Sequence, residues 1–426
     1  MLDLRDRFVH PSARDGQPSP VELRAFTHGL MPATVPAILQ GFADDWATRG
    51  VDAWNAVPDR WDVGAAGWDV VGWWTLPEAL GDRWIAPMLG APRGTCVVQP
   101  HVHGAVSMLL SCDEPFAGGR DEIVLSDAEF PSVRHAVRRW AGLRGLRVTE
   151  VPATPDGFVD VGALAAAPTD RTAWVFVSHV GFATGEVLPD DALRAIADAA
   201  HAVGALFCVD GYHATASLPT DVLAVAANVY VGGLLKEACG SAGNAYLYVR
   251  DGLDLRPALA GWFADAEPFA FGAAPQDHPT VRRRFLGGTL SVATHYHAVE
   301  GLRVLMGARD ESGRTGIAAV RADTLAKGAR AIERLEGAGL RLVSPRDDAR
   351  RGAMLVFEAD GADRLSAWLK TQDVYTDSRR GRLLRLAPFV WNTPDDVDRA
   401  GDAVAHALAT GAHLAYDAPA EGGPVT

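Results

Sequence analysis

Between about residue 95 and residue 250 the chain repeatedly places a short apolar run ahead of a helical pattern. The runs are Cys96–Val98, Ile123–Leu125, Trp174–Val177, Leu206–Val209, Val229–Val231 and Tyr246–Val249. They are β-branched or aromatic and apolar at odd and even positions alike, as strands covered on both faces must be. Between two of them, Pro189 to Gly204 carries Leu193, Ile196, Ala197 and Ala200 at helical spacing and ends on a glycine. Strand–helix–strand repetition of this kind predicts an α/β fold, a mostly parallel sheet flanked by helices.

After about residue 305 the pattern changes. A long helix from roughly Ile317 to Glu336 precedes a strand at Met354–Phe357, a helix around Leu365–Leu369 and a strand at Leu383–Leu386. A last helix opens on Thr393-Pro394-Asp395-Asp396: an N-cap, a first-turn proline and two acids facing the helix dipole. These elements read as a second, smaller α/β domain. The expected organisation is an N-terminal arm over 1–50 packing on the small domain, a large domain over 51–305, the small domain over 306–415, and a flexible tail over 416–426.

Composition narrows the function. Fifty-three acidic side chains against 40 basic ones give a formal charge of −13, and no basic tract stands out. Nucleic acid and anionic membrane are therefore not expected partners, since both need clustered cations. Four cysteines in 426 residues are no disulfide framework. The start, MLDLRDRFVH, is no basic-then-apolar leader, and no apolar run reaches about 18 residues, so a cytoplasmic protein is expected.

The 40 basic residues are 37 arginines and three lysines, Lys236, Lys327 and Lys370. In so arginine-rich a chain each lysine raises the question of what it does that arginine cannot. Lys327 and Lys370 lie in helical patterns beside charged neighbours and are expected on solvated helix faces. Lys236 is different. It follows the run Val229–Val231 inside Gly232-Gly233-Leu234-Leu235-Lys236-Glu237-Ala238-Cys239-Gly240, where a buried strand gives way to a glycine-rich loop. A buried ammonium loses solvation, its pKa falls, and the neutral amine is a nucleophile able to form a Schiff base. Asp210 ends the preceding strand in Val209-Asp210-Gly211-Tyr212-His213, and a strand's carboxyl end in such a sheet faces the ligand crevice. Asp and Lys on adjacent strand tips suit pyridoxal phosphate: the acid keeps the pyridine nitrogen protonated and the lysine holds the aldehyde.

The ordered set Ser178-His179-Val180-Gly181-Phe182-Ala183-Thr184-Gly185, Asp210-Gly211-Tyr212-His213 and Lys236 resembles the class V aminotransferase group of pyridoxal-phosphate enzymes. Within it the chain looks most like kynureninase, through Glu129-Phe130-Pro131-Ser132, Gly261-Trp262-Phe263 and Arg385-Leu386-Ala387-Pro388. The resemblance covers roughly residues 95 to 395. It implies a fold-type-I transferase with a mostly parallel seven-stranded sheet and a smaller C-terminal domain. It also implies that Phe130 stacks on the pyridine ring, Asp210 pairs with its nitrogen, His213 lies beside it and Lys236 carries the aldehyde as a Schiff base. Ser132 joins the cofactor set, and the phosphate is expected at the helix start Val102-His103-Gly104. Arg385 would bind the carboxylate of an amino-acid substrate. Trp262 and Thr289 match positions that reach the phosphate of a neighbouring subunit, so a homodimer with shared sites is implied.

The departures bear on the substrate. Kynureninases carry a tyrosine before the lysine where this chain has Leu235, an aspartate where it has Val133, a threonine where it has His103, and an asparagine where it has Thr289. Kynureninase-like cleavage or elimination is therefore expected on some amino acid other than kynurenine, with class V transamination as the alternative. A thiolate-dependent desulfurase is disfavoured, because Cys96, Cys112, Cys208 and Cys239 all lie at or before the lysine loop. The rival from another class is a metal-dependent hydrolase using His101 and His103, with His295 and His297 downstream.

Overall fold

The computed structural model describes residues 2–11 and 19–416; the tail expected over 416–426 lies outside them apart from Tyr416. Seven strands form the central sheet: β1 (Cys96–Gln99), β2 (Glu122–Ser126), β3 (Arg147–Val151), β4 (Thr172–Ser178), β5 (Leu206–Asp210), β6 (Val229–Gly233) and β7 (Ala245–Val249). Their spatial order is β1-β7-β6-β5-β4-β2-β3. Neighbours from β6 to β3 run parallel, and β7 lies antiparallel between β1 and β6. This is the fold-type-I arrangement, with all six apolar runs in place.

The seventh strand, β3, is absent from the sequence reading because it is an edge. Arg-Val-Thr-Glu-Val pairs on one side only and is mostly part-exposed, so it shows no apolar run. In the interior, Ile123, Val124, Leu125, Val175, Val209 and Val231 are fully buried. Each such side chain contributes roughly 1.5–3 kcal/mol.

A four-stranded antiparallel sheet forms the smaller α/β layer: β8 (Arg341–Leu342), β9 (Leu355–Glu358), β10 (Asp377–Arg379) and β11 (Leu383–Leu386), in order β8-β9-β11-β10. Helices Gly316–Gly337 and Pro394–Thr410 pack together beside it. The second of these has the full capping box, Thr393 Oγ1 accepting from the Asp396 N–H and Asp396 accepting from the Thr393 N–H. The N-terminal segment touches both layers. Val21–Glu22 pairs with Val374–Tyr375, and Arg5 bonds Asp396 at 2.6 Å. Helix Val35–Arg49 packs on Val292–His297, where Tyr296 donates to Asp45 at 2.9 Å.

Lys327 corrects an expectation. It is 1% exposed, not on a solvated face, and its ammonium donates to Asp323 at 2.6 Å and to the Phe389 carbonyl at 3.2 Å. Asp323 in turn accepts the Leu2 N–H at 2.9 Å. One buried ion pair thus ties the long helix to the start of the chain and to the loop after β11. The helical spacing placed Lys327 correctly along the helix; its face is reversed because the N-terminal arm covers it. Lys370 is exposed, as expected. Among the described residues no helix is long and apolar enough to cross a membrane.

Lys327→Met leaves Asp323 buried without its cation. It should cost about 3–5 kcal/mol, read as a lower urea midpoint, because breaking a buried pair strands the remaining charge. An unfolding free energy within about 0.5 kcal/mol of the unmodified protein would show that the pair is not a structural tie.

Candidate active site

The register brings Gln99, Ser178, Asp210 and Gly233 to one edge of the sheet. The chain segments that leave this edge enclose a cavity of about 340 Å³. Pro100–His103 closes it from β1, Phe130–Val133 from β2, Ser178–Phe182 from β4, Asp210–His213 from β5 and Leu235–Lys236 from β6. Ala242–Asn244, just before β7, completes the wall. Ligand crevices of open α/β sheets lie at this carboxyl edge.

Glycines let the lysine loop sit where it does. A side chain at Gly233 would run into the Tyr212 ring, 2.0 Å from its Cβ, and one at Gly232 would meet the Tyr246 hydroxyl. Gly29 of the arm lies against the loop itself, where a Cβ would stand 2.2 Å from the Lys236 carbonyl. Its N–H donates to the Leu235 carbonyl at 3.1 Å. The loop is therefore held from both sides.

Lys236 Nζ stands 2.7 Å from His213 Nε2, 4.8 Å from the Tyr212 ring centroid and 5.6 Å from that of Phe130. Burial pushes its pKa below the usual lysine range; the carboxylates of Glu237 and Asp210 oppose that shift, and the Arg385 and Arg379 guanidinia add to it. His213 is held well below its ordinary value by burial and by the cations nearby, so its imidazole is neutral. Asp210 accepts the Tyr212 N–H at 2.9 Å, and burial raises its pKa to about 6 despite that bond and Lys236. Behind it, Glu129 accepts from the Ser178 N–H and from Ser178 Oγ, and burial together with Asp210 pushes it up to about 8. Burial and the neighbouring Asp210 thus favour the protonated form of Glu129.

Of the residues expected from sequence, Val102, His103, Phe130, Ser132, Asp210, His213 and Lys236 line the cavity together. Phe130 presents a ring that is 39% exposed and touches Phe182 edge-on. Gly104 stands one step back, its N–H taken by His101 Nδ1 at 2.8 Å. Arg385 is buried and does not line the cavity: it bonds Asp377 at 2.8 Å and the carbonyl of the wall residue Phe182 at 3.1 Å. Its Nε has no partner. Trp262 and Thr289 lie elsewhere, in a second hollow of about 350 Å³ with Trp54, Trp74 and Phe269. Sequence reasoning left out Glu237, Asn244 and the apolar pair Val180 and Phe182. Glu237 had a signal, an acid beside the loop lysine. The others are set by loop geometry alone.

The structure does not gather the histidines of the metal reading into one group. His101 serves as a helix cap, and its ring centroid is 6.3 Å from that of His103. His297 Nδ1 contacts the Gly240 carbonyl, and His295 is buried. Among the described residues no group of three or more His, Cys, Asp and Glu side chains could hold a metal ion.

A buried amine, a carboxylate, an open aromatic face and a helix start around one cavity fit pyridoxal phosphate. Lys236 would hold its aldehyde, Asp210 its ring nitrogen, Phe130 its ring face, and the first N–H groups of helix Val102–Ser111 its phosphate. Fold and site together define a fold-type-I pyridoxal-phosphate enzyme. The sequence profile of the class V aminotransferases matches residues 86–374, and the chain belongs to that family. It is 27% identical to a kynureninase of Burkholderia pseudomallei over 334 residues, 75% of either chain. An isopenicillin N epimerase of Amycolatopsis lactamdurans is 31% identical over 352 residues, 78% of this chain and 84% of that one. In structure the chain is similar to C-DES, solved as a mutant with glycine covalently linked to its pyridoxal-phosphate cofactor. The TM-score is 0.75 at 17% identity, covering 94% of this chain and 98% of that one.

With three lysines in the chain, attachment is simple to map. Borohydride reduction of the cofactor-loaded protein should fix pyridoxal phosphate to the peptide containing Lys236, and Lys236→Ala should abolish the label while Lys370→Ala keeps it. Label on a peptide carrying Lys327 or Lys370 would overturn the assignment.

Proposed function

We propose that the chain acts on an α-amino acid, with Lys236 removing the α-proton, and that it cleaves a carbon–carbon or carbon–heteroatom bond of the side chain as kynureninases do. The observation that carries this is the buried Lys236 amine, hydrogen-bonded to neutral His213 and facing Asp210 across one cavity. Pyridoxal phosphate, when bound, supplies an aldehyde that condenses with amines and a ring that accepts the electron pair released at the α-carbon. The protein's part is to keep Lys236 neutral by burial, so that it can take a proton, and then to return that proton to the leaving heteroatom in an elimination, or to the β-carbon when water adds to the departing acyl group in a carbon–carbon cleavage. Asp210 stays anionic to hold a protonated ring nitrogen in place. Class V transamination uses the same residues and differs in where Lys236 delivers the proton.

The substrate's carboxylate is assigned to Arg385, whose unpartnered Nε leaves one donor of its fork free. Val133, Val180, Phe182 and Leu235 give the cavity an apolar side, beside the polar His101, Ser178, Tyr212 and Asn244. That favours a substrate whose side chain is apolar or aromatic. A desulfurase is disfavoured by the thiols. All four cysteines are buried, and burial raises Cys96 to about 12 and holds the other three well above the ordinary thiol value, which disfavours a thiolate at neutral pH. The reading includes a homodimer. Trp262, Phe269 and Phe271 are 42%, 65% and 75% exposed around the second hollow, an aromatic face suited to a second copy whose cavity Trp262 and Thr289 would complete.

Arg385→Lys should raise KM for the amino acid by about 10–100-fold, the weight of one or two charge-assisted hydrogen bonds, with a smaller change in kcat. Leu235 supplies no phenol, so kynurenine should be hydrolysed poorly while another amino acid yields a cleaved product. Efficient anthranilate release from kynurenine, or a keto acid as the sole product across an amino-acid panel, would contradict the cleavage reading.

A further inference from the structure

Glu237 follows the lysine directly and does not line the cavity. It is 1% exposed, and its Oε1 stands 3.8 Å from His213 Nδ1, on the far side of the imidazole from Lys236. Two atoms in this small space are buried without a hydrogen-bond partner: His213 Nδ1 and Glu237 Oε2. Buried polar atoms are rarely left so, and these two belong to side chains already near contact. A shift of about an ångström would close the bond.

We propose that Glu237 is a positioning residue that, through His213, stores the proton which sets whether Lys236 is an amine or an ammonium. Two arrangements satisfy every bond in the row. In one, the Glu237 carboxyl donates to His213 Nδ1, and His213 Nε2–H donates to the lone pair of a neutral Lys236. In the other, the Lys236 ammonium donates to His213 Nε2, and His213 Nδ1–H donates to a Glu237 carboxylate. Passing between them moves one proton from Glu237 Oε to His213 Nδ1 and one from His213 Nε2 to Lys236 Nζ. The imidazole changes tautomer and never becomes a cation, as its buried setting requires. Total charge is constant, so the buried loop can change Lys236 from base to acid without importing a proton.

Other charges face this row. Asp210 and Tyr212 flank Lys236 from β5 and the turn after it, and Arg385 and Arg379 approach from β11 and β10, both bonded to Asp377. Cys239 is the titratable neighbour of Glu237 within the loop. Asp210 and the two arginines act on Lys236 with opposite signs. Glu237 is the one that reaches Lys236 through the His213 imidazole, bonded to the amine at 2.7 Å and 3.8 Å from the carboxyl.

The proposal rests on Lys236 being the site's base, and it is tested on the amine itself, so its failure leaves the borohydride result standing. The chain without added cofactor is pulse-labelled with acetic anhydride from pH 6 to 10, and the Lys236 peptide is quantified by mass spectrometry. Losing the carboxylate disfavours the ammonium, so Glu237→Gln should move the labelling curve to lower pH by about one unit, an increase of about tenfold at a fixed pH below the midpoint. Glu237→Asp should keep the curve of the unmodified chain, and in a His213→Asn background the Glu237→Gln shift should fall to less than half. An unmoved Glu237→Gln curve would reduce Glu237 to packing, and an undiminished shift without His213 would remove the imidazole from the path. Should Glu237→Gln fail to fold, the unmodified chain still decides: a coupled pair gives a broadened Lys236 curve, and a single sharp titration contradicts the coupling.

Discussion

The burial of one amine organises this molecule. Lys236 sits at the carboxyl edge of a parallel sheet, where β5 and β6 end side by side, and nearly everything around it deals with its charge. Asp210 and Glu237 favour the ammonium, while burial and the two small-domain arginines disfavour it. The balance leaves an amine that can be neutral near physiological pH, which an arginine could never be. Glu129 belongs to the same balance at one remove, since burial and Asp210 favour its protonated form.

Holding that balance requires the loop to be rigid, and the rigidity comes from far along the chain. Gly29 of the N-terminal arm lies on the Lys236 carbonyl, and Gly301 brings the helix Glu300–Met306 against Ala238. Leu23 accepts the Ala387 N–H at 2.7 Å, linking the arm to the end of β11 two residues after Arg385. The Lys327–Asp323 pair fixes the arm's beginning. The arm thus connects the lysine loop, the strand that carries Arg385 and the long helix of the small layer. Displacing it would move Lys236 and Arg385 relative to each other, and site geometry tolerates such shifts poorly.

Much of this is legible in the sequence because buried parallel strands have to be apolar on both faces. Six of the seven sheet strands show that signature, and the seventh, Arg147–Val151, lacks it because an edge strand can carry Arg and Glu. Lys236 and Asp210 stand out because an amine and a carboxylate at the tips of adjacent buried strands are costly to desolvate, and such a pair marks a ligand site. Lys327 does not announce its burial, since helical spacing is silent on what an arm three hundred residues away in sequence will cover. Arg385 falls on the expected strand, while its bonds to Asp377 and the Phe182 carbonyl depend on tertiary packing that no local pattern records. Val180 and Phe182 lie in a loop, and their inward direction follows from the fold alone.

Lys236 is proposed here as the group that removes the α-proton of an amino acid. Exchange of that proton with solvent reports it without knowledge of the final product. Cofactor-loaded protein in D₂O, incubated with apolar and aromatic L-amino acids and followed by proton NMR, should erase the α-proton signal of at least one of them. Lys236→Ala should slow that loss by several orders of magnitude while still binding pyridoxal phosphate. Exchange that proceeds equally fast without the lysine would contradict the account.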